Sequence, residues 1–356
     1  DANNAKLTAK DGAGRTIDVS LATGSSKAFK ISGGDGADIL TGGAGADIIT
    51  GGDAVDTIVG NAGADSITGG AGDDIITGGD GTDTFNVDSG TDIVNDLGGS
   101  SGGENDIVII SAGATVNANN IVSFVATSAT QNNSTDAGNA VLTAKSGAGR
   151  TISVANATGS SKAFTLVGSD GNDSLTGGAG DDIISVTSAG HANADILDGG
   201  AGTDTLVLSS GTHTLTSENK IVNIENINLS TSGSGTNVDL TGQTEAFTIT
   251  AGNFANTIKS GGGADTIVGG TNVDTITGGV GDDIITGGAG NDIITIDSGE
   301  DKVKDLGGAS GSEQDVVVVN AGATLNAIDI IGFTATNATK NDSTDANNAK
   351  LTAKDG

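Results

Sequence analysis

The feature that most constrains this chain is a nine-residue repeat that runs without a break from Gly33 to Asn95. Its first two units read GGDGADILT and GGAGADIIT. An aspartate recurs at the sixth place of every unit, and a bulky apolar residue recurs at the eighth. Self-similarity at a short fixed period is typical of solenoids, in which one small unit stacks on the next. The period therefore predicts a stack of equivalent turns and strands.

Each place in the unit has a physical reason. Glycine adopts backbone conformations with φ > 0 that other residues avoid, so a glycine pair allows a sharp turn. Such a turn brings backbone carbonyls inward, and the aspartate adds a carboxylate; oxygen ligands of this kind suit a hard cation such as Ca²⁺. The apolar residue at the eighth place predicts a short strand with one inward side chain. That side chain is buried only when neighbouring units stack in parallel.

The pattern G-G-x-G-x-D-x-U-x resembles the calcium-binding nonapeptide of RTX proteins. The resemblance implies a parallel β-roll, in which two nonapeptides form one coil and Ca²⁺ lies between stacked aspartate turns. Ala54 replaces the glycine at the fourth place of its unit, and Asn61 replaces the glycine at the second place. The turn geometry of those two units is therefore in question. A flexible Gly/Asp-rich linker is the alternative, but linkers do not carry apolar residues at a fixed period.

Two further ladders of nonapeptides follow the first. The second opens at Gly168, breaks register over Val186 to Ala189, and ends where His213 takes the aspartate place. The third runs from Ala251 to Lys304, with Asn256 at the aspartate place of its first unit. Because two stacked turns would share each ion, the ladders predict on the order of ten Ca²⁺ ions. The resemblance assigns these aspartates as metal ligands: Asp38, Asp47, Asp56, Asp65, Asp74, Asp83, Asp92, Asp173, Asp182, Asp195, Asp204, Asp265, Asp274, Asp283, Asp292 and Asp301.

A larger repeat encloses the ladders. The segment DANNAKLTAKDG occurs at Asp1–Gly12 and again at Asp345–Gly356, and a related copy begins at Asp136. Self-similarity at this scale predicts a tandem array, and we expect this chain to be a window on a longer one. We divide it into a β-rich connector at 1–32, a first β-roll at 33–97, a connector at 98–167, a second β-roll at 168–216, a metal-free β linker at 217–250, a third β-roll at 251–306 and a connector at 307–356.

Strands are also predicted outside the ladders. The continuous apolar run Asp106–Ser111 predicts a strand buried on both faces, and the alternating run KIVNIENINLS predicts one that continues the solenoid without metal. Residues 104–167 fit a small sandwich or an irregular solenoid. Further candidates are Arg15–Val19, Lys27–Ile31, Ile121–Ala126, Ala140–Ala144, Thr151–Val154 and Ala163–Val167. The fold class is all-β with almost no helix: parallel β-roll or β-solenoid ladders with bound Ca²⁺, joined by small β-rich connector domains.

Composition excludes several classes of protein. The formal net charge is −30, from 45 acidic and 15 basic residues, so there is no basic patch to bind nucleic acid. No apolar run approaches the roughly 20 residues that span a bilayer. The absence of cysteine excludes disulfides, thiolate catalysis and cysteine-based zinc sites. Only 2% of residues are aromatic, which favours thin layers of Ile, Val and Leu over a core of large side chains.

No group of residues predicts an enzyme. G-x-G-x-x-G matches recur every nine residues without a helix pattern, which argues against dinucleotide binding. Carboxylate pairs such as Asp73–Asp74 resemble those of glycosidases, but the repeat explains them: the first faces solvent and the second is the ligand. His191 and His213 have no second histidine at metal spacing and are interpreted as turn substitutions. We interpret the N-x-[ST] sequons as chance matches: Asn132, Asn156, Asn172, Asn337 and Asn341.

These features predict a calcium-stabilised structural repeat protein that forms a fibre, sheath or surface layer outside a bacterial cell. The tandem repeat and the lack of a catalytic group favour it, and the RTX resemblance implies type I secretion. The expected partners are further copies of the chain, with cell-surface polysaccharide as another candidate, and neither nucleic acid nor an inserted membrane. Two alternatives are the stalk of a giant adhesin and the RTX module of a secreted enzyme.

Overall fold

The computed structural model of the protein describes residues 5–23, 28–99, 103–134, 138, 140–159, 161–186, 194–217, 220–229, 234–307, 313–330, 333, 335, 339–342 and 349–353. These residues form β-strands and turns and contain no α-helix, as predicted. The chain divides into two compact units, Asp1–Ile184 with Gly199–Gly202, and Ser185–Asp198 with Thr203–Gly356. No helix long and apolar enough to cross a bilayer occurs in the described part of the chain.

The first unit is a parallel β-solenoid. Its strands are β1 (Lys6–Thr8), β2 (Thr16–Asp18), β3 (Lys30–Gly34), β4 (Ile39–Thr41), β5 (Ile48–Asp53), β6 (Thr57–Ala62), β7 (Ser66–Ala71), β8 (Ile75–Asp80), β9 (Thr84–Val87), β10 (Thr91–Asn95), β11 (Ile107–Ile110), β12 (Thr115–Ile121), β13 (Ser123–Val125), β14 (Gln131–Asn132), β15 (Ala140–Ala144), β16 (Thr151–Ser153), β17 (Thr165–Gly168) and β18 (Ser174–Thr176), and β19 (Ile183–Val186) begins in it.

These strands stack in three parallel sheets. One sheet has the order β1-β3-β5-β7-β9-β11-β14. A second follows the alternate strands from β2 through β4, β6, β8, β10, β12 and β15 to β17. The third begins with β13, β16 and β18. Within the ladder, consecutive nonapeptides therefore alternate between two sheets, and each coil has 18 residues, as the pairing Ile31↔Ile49 shows.

The second unit is built in the same way. Its strands are β20 (Ile196–Asp198), β21 (Thr205–Leu208), β22 (Gly211–Thr214), β23 (Ile221–Val222), β24 (Asn226–Asn228), β25 (Thr236–Asp239), β26 (Thr248–Thr250), β27 (Thr257–Gly262), β28 (Thr266–Gly270), β29 (Thr275–Val280), β30 (Ile284–Gly288), β31 (Ile293–Ile296), β32 (Gly299–Lys304), β33 (Val316–Val319), β34 (Ala323–Ile330), β35 (Lys340–Asn341) and β36 (Ala349–Ala353). One sheet runs β22-β25-β27-β29-β31-β33-β35. Another passes from β21 through β24, β26, β28, β30, β32 and β34 to β36.

Three columns of residues point into each ladder. Successive residues of a strand face opposite sides, so the sixth, eighth and first places of the nonapeptide share the inward side. The apolar column of the first ladder is fully buried: Leu40, Ile49, Ile58, Ile67, Ile76, Phe85 and Val94. By contrast, the seventh-place residues Ile39 and Ile75 face outward and are 52% and 39% exposed. The core is therefore one apolar side chain wide, between an aspartate column and a glycine column.

The connector at 104–167 is an irregular solenoid. Strand β11 pairs with β9 below it and with β14 above it, and β12 pairs with β10 and β15, all in parallel. The strand predicted at Asp106–Ser111 is present as β11, but the expectation of burial on both faces is wrong. Val108 and Ile110 are fully buried, whereas Ile107 and Ile109 face outward and are half-buried, because the outer side of a solenoid sheet has nothing packed on it.

The other predicted strands are largely confirmed, at β2, β3, β13, β15, β16 and β17, with boundaries that differ by a few residues. The run KIVNIENINLS is two strands, β23 and β24, because Asn223 between them turns the chain with φ of 54°. Both strands stack in the solenoid of the second unit, as predicted.

Candidate metal centre: the aspartate columns

All sixteen aspartates predicted as ligands are buried, each with 2% or less of its surface exposed. They form the sixth-place columns of the three ladders. Their neighbours at the fifth place, Asp73, Asp181 and Asp282, are exposed. The prediction that the first carboxylate of each pair faces solvent is therefore confirmed, and the second lies inside the roll.

In the first and third ladders, each of these aspartates accepts a backbone N–H from the preceding coil. The Asp38 N–H donates to Asp56 Oδ1 at 2.7 Å, and the Asp56 N–H donates to Asp74 Oδ1 at 2.8 Å. On the alternate turns, the Asp47 N–H donates to Asp65 Oδ1 at 2.6 Å. The third ladder repeats the arrangement, with 2.8 Å between the Asp265 N–H nitrogen and Oδ1 of Asp283. One carboxylate oxygen thus fixes the register of stacked turns without any metal, which the sequence did not predict.

Asn256 shows that this backbone role needs no charge. Its N–H donates to Asp274 Oδ1 at 2.7 Å, and its own Oδ1 accepts the Thr236 N–H at 3.0 Å. An amide oxygen therefore occupies the register position as well as a carboxylate oxygen does.

Three acidic residues join the columns although the nonapeptide count does not reach them. Asp106 accepts the Asp83 N–H at 2.8 Å, and Asp315 accepts the Asp292 N–H at 2.9 Å; both are separated from the donor by 23 residues instead of 18. Glu225 accepts the Asp204 N–H at 2.7 Å through its longer side chain. The sequence signal for the two aspartates is the D-x-V-x run that follows the first and the third ladder, since it repeats the end of a nonapeptide after a five-residue insertion.

The second carboxylate oxygen defines the candidate metal position. In eleven of the aspartates, Oδ2 is buried and has no hydrogen-bond partner: Asp38, Asp56, Asp65, Asp74, Asp83, Asp92, Asp265, Asp274, Asp283, Asp292 and Asp301. Asp47, Asp173 and Asp182 differ, because Oδ2 accepts the N–H of Gly43, Ser169 and Gly178 at 2.6, 2.7 and 2.6 Å. The same repeat thus has open and closed forms of its turn.

The backbone at the second place of the unit accompanies the difference between the two forms. In the open turns of Asp38 and Asp56, the second-place residues Gly34 and Gly52 have φ of 129° and 131°. The second-place residues of the three closed turns are not among those with positive φ. Only glycine adopts φ near 130° without strain. A glycine at the second place therefore supports the open turns of Asp38 and Asp56, whereas Asn61 occupies that place in the open turn of Asp65.

The two units with departures keep their turns. Asn61 and Ala54 have φ of 75° and 69°, in the left-handed region that glycine would occupy. Asparagine is tolerated there, and the Asn61 Nδ2 donates to the Gly42 carbonyl at 2.8 Å. Alanine at this φ costs about 1 kcal/mol. Both substitutions are accommodated, the second with strain.

The first glycine of the unit is required for space and not for its φ. A Cβ added to Gly33 would overlap both Oδ2 of Asp38 and the carbonyl oxygen of Gly51. Gly51 and Gly60 show the same pattern with their own aspartate and the glycine carbonyl of the next coil. A carboxylate oxygen and a carbonyl oxygen therefore converge beside these three first-place glycines.

The pKa values of the column aspartates show that their charges have no basic partner in the protein. Burial raises the pKa of Asp83 to about 7, backbone hydrogen bonding from Asp65 opposes the rise, and the charges of Asp106, Asp65 and Glu104 add to it. Burial and neighbouring carboxylates also raise the pKa of Asp92, Asp283 and Asp292 to about 7, against backbone hydrogen bonds that lower it. No basic side chain contributes at these four positions. The ionised columns therefore lack a counter-ion from the protein.

These observations fit a hard divalent cation. The available donors are carboxylate and carbonyl oxygens, the kind that Ca²⁺ takes in groups of six to eight. Within the described residues, no three carboxylate or imidazole side chains cluster together, so backbone carbonyls would supply most of the ligands. Calcium held there would neutralise the carboxylates and link successive turns. The sixteen aspartates remain predicted ligands, and the eleven whose Oδ2 has no hydrogen-bond partner are the strongest of them.

His213 does not take the aspartate place. It pairs with Val238, which pairs with Ile258 of the apolar column, so the chain enters β22 shifted by two residues from the nonapeptide count. His213 is fully buried, its Nε2 lies 2.9 Å from the Ser209 carbonyl, and burial lowers its pKa. It is a neutral core residue. His191 lies outside the described residues.

A family model for the RTX calcium-binding nonapeptide repeat matches six stretches of the chain, at residues 32–67, 59–94, 165–186, 187–212, 248–276 and 268–303. These stretches cover the three ladders and leave the connectors at 104–134 and 313–330 unmatched. No curated protein matches the chain.

Proposed function

We propose that this chain, which carries RTX calcium-binding nonapeptide repeats, is a calcium-rigidified structural repeat protein of the bacterial exterior, whose copies form a fibre, sheath or surface layer. The observation that carries the proposal is the column of buried aspartates with unpartnered Oδ2 atoms. In a chain with a formal net charge of −30, these carboxylates need cations before the roll can be rigid.

Calcium would act here as part of the fold. Two stacked turns would share an ion, so the three ladders would hold on the order of ten. Without cations, the like charges of each column oppose stacking, and the glycine-rich chain loses much entropy on ordering. Because the site does not exist in the unfolded chain, the free energy of calcium binding becomes free energy of folding.

The calcium dependence also supports an extracellular location. RTX repeats are typical of secreted bacterial proteins. A chain that folds only in calcium would stay unfolded in the calcium-poor cytosol and fold outside, which suits type I secretion. The same calcium dependence would make the protein rigid only after it has reached the cell exterior.

A structural role fits the recurrent side chains better than a catalytic one. The β-roll is structural in itself, and its repeated residues are glycines, inward apolar side chains and aspartates bonded to the backbone. The recurrence of DANNAKLTAKDG after 344 residues supports a polymer, since each repetition of such a period would add the same length of roll.

Electron microscopy of the native material in calcium and after EGTA tests the proposal. Ordered fibres or sheets that dissolve on chelation and return with Ca²⁺ are the expected result. Isolated rods in calcium would favour an adhesin stalk, and assemblies indifferent to EGTA would contradict the calcium mechanism.

Asp83→Asn with Asp292→Asn should raise the calcium concentration needed for assembly. The exposed pair Asp73→Asn and Asp282→Asn should leave it unchanged.

A further inference from the structure

A glutamate stands two residues before the aspartate that ends the first and the third column, in the runs ENDIV and EQDVV. The aspartates of these runs, Asp106 and Asp315, bond to the coil before them over a step of 23 residues. Counted with the same step, Glu104 and Glu313 stand where the preceding coil has its fourth-place glycine. Each ladder therefore ends with a carboxylate at a place where the nonapeptide has none.

The aspartate that follows the glutamate has both carboxylate oxygens bonded to the backbone. Asp106 Oδ1 accepts the N–H of the column aspartate one coil earlier at 2.8 Å, and its Oδ2 accepts the Gly98 N–H at 2.7 Å. Asp315 makes the same two bonds, at 2.9 Å to the column and at 2.7 Å to the Gly307 nitrogen. In an open turn, by contrast, only one oxygen is bonded in this way. The last aspartate of the column therefore cannot offer a cation an unpartnered oxygen.

The glutamate offers such an oxygen in its place. Oε2 of Glu104 and Oε2 of Glu313 are both buried and have no hydrogen-bond partner. The Glu104 side chain folds back against Gly99, where an added Cβ would overlap Oε2. A buried carboxylate oxygen with neither a donor nor a cation disfavours the folded state. The recurrence of this oxygen in both compact units points to a ligand common to the two ladder ends.

A second unpartnered carboxylate lies close to each glutamate. Asp83 and Asp292 are 1% and 0% exposed, and Oδ2 of each has no hydrogen-bond partner. Burial is the main reason that the pKa of Asp83 is raised to about 7, and the charge of Glu104 adds to it. Burial raises the pKa of Asp292 to about 7 in the same way, and the charge of Glu313 adds to it. The two carboxylates of each pair therefore repel one another, with no basic side chain to offset them.

We propose that each of these pairs, Asp83 with Glu104 and Asp292 with Glu313, holds a Ca²⁺ ion at the end of its ladder. The glutamate supplies the carboxylate oxygen that the last column aspartate commits to the backbone. Two carboxylates leave the remaining ligands to backbone carbonyls and water, in keeping with the six to eight oxygens that Ca²⁺ takes. The proposal deepens the proposed function, on which it rests for the identity of the cation.

The site lies where the connector leaves the ladder. The Glu104 N–H donates to the Gly98 carbonyl at 3.4 Å, and the Glu313 N–H donates to the Gly307 carbonyl at 3.2 Å. The glutamate is thus the residue at which the chain returns to the coil after the five-residue insertion. A cation bound there would fix the first turn of the connector to the last turn of the ladder.

Glu104→Gln in the full chain tests the site, with the third ladder as an internal control. Glutamine keeps the length of the side chain and removes its charge. Hydrogen exchange followed by mass spectrometry along a calcium titration gives a midpoint of protection for each peptide. The midpoint at β11 should move to higher calcium by roughly tenfold or more, while the midpoint at β33 stays where it is. Glu313→Gln should give the reverse, and the exposed Glu300→Gln should move neither.

A count of bound ions gives a second readout. Equilibrium dialysis against radioactive calcium, at a free concentration between the two midpoints, should show one ion fewer for each glutamate replaced. In EGTA, Glu104→Gln should be at least as well protected as the unaltered chain, because it removes a buried charge. Lower protection in EGTA would mean that the glutamate serves the fold alone, and would overturn the site.

Two further results would overturn the site while leaving calcium binding by the ladders intact. One is an unchanged midpoint together with an unchanged ion count in both glutamine variants. The other is an equal shift in every peptide, which would show a general loss of stability. If instead the unaltered chain is protected equally with and without calcium, the proposed function itself fails.

Discussion

The first ladder and the connector that follows it share two sheets, yet their turns are chemically different. In the ladder, each buried turn carries an aspartate with one oxygen bonded to backbone and often one oxygen unpartnered. In the connector, Asn132 is equally buried, but its Nδ2 donates to the Ala163 carbonyl and its Oδ1 accepts the Ser134 N–H at 2.9 Å. A neutral amide there satisfies itself within the protein.

The comparison separates the fold from its dependence on metal. Parallel stacking of an apolar column holds in both regions, so a β-solenoid does not itself require an ion. What makes the ladders conditional is the buried charge, because an unpaired carboxylate strongly disfavours the folded state. The register role and the metal role of the aspartate are thus separate functions of its two oxygens.

Calcium removal should therefore affect the two regions unequally, and this is the largest effect we expect. At neutral pH in EGTA, amides of the first ladder should lose nearly all protection from hydrogen exchange, while amides of β12 and β15 should keep part of theirs. Hydrogen exchange followed by mass spectrometry measures both in one sample, with Mg²⁺ added back as the control. Equal loss in both regions would show that the connector depends on the metal as much as the ladder does.

Protonation of the column aspartates at low pH should partly replace calcium in stabilising the fold. The pKa of Asp83, Asp92, Asp283 and Asp292 is raised to about 7 in the folded chain, against about 3.9 for an unfolded aspartate. The calcium-free folded state therefore binds protons more tightly than the unfolded chain, so its stability is greatest below about pH 4 and falls as pH rises through about 7.

Circular dichroism in EGTA should accordingly show more β-structure at pH 5 than at pH 8. The dependence should weaken in saturating calcium at neutral pH, because the ion and the proton compete for the same oxygens. A calcium-free chain that becomes more stable as pH rises would refute the raised pKa values.

Asp83→Asn should change the free energy of unfolding in opposite directions with and without calcium. The amide can keep the hydrogen bond to the Asp65 N–H, as Asn256 does in the third ladder. In EGTA the variant removes a buried charge and should be more stable by about 1–3 kcal/mol, whereas in calcium it removes a ligand and should be less stable. Urea denaturation under both conditions measures the change, with the exposed Asp73→Asn as the control. The same sign in both conditions would mean that Asp83 binds no cation.

The smallest effect we expect concerns the strained turn. Ala54→Gly should raise the free energy of unfolding by about 1 kcal/mol, since glycine adopts the φ of 69° without strain. The matched control, Ala64→Gly, is also exposed but has no positive φ, so it should be neutral or slightly destabilising. Thermal denaturation of both variants in calcium compares them. A gain in Ala64→Gly as large as in Ala54→Gly would show that strain is not the cause.

Most of the architecture could be predicted from the sequence because it repeats. A strict period places each apolar residue and each aspartate on the same side of every coil, so burial of Leu40 predicts burial of Ile49 and Ile58. The connectors were harder because their coils have inserted residues that hide the period. Asp106 and Asp315 continue the aspartate columns, but the insertion before each one moved it out of the nine-residue count.

The site was predictable in residue type and less so in detail. The sequence pointed to the aspartates but not to the division of work between Oδ1 and Oδ2, which depends on the coil 18 residues away. It also placed His213 in the aspartate column instead of the apolar column. A shift of two residues along a strand keeps the same side chains facing inward, so the pattern of inward and outward residues does not reveal it. An alternating pattern of apolar and polar residues detects a register shift of one residue but not a shift of two.

The bonds that span 18 residues in the ladder and 23 residues at its ends have the same length, 2.8 Å for both Asp65–Asp83 and Asp83–Asp106. A coil can therefore gain five residues as a loop while its neighbours stay in place. A loop could therefore be lengthened, shortened or replaced in one coil without disturbing the hydrogen bonds of the coils on either side of it.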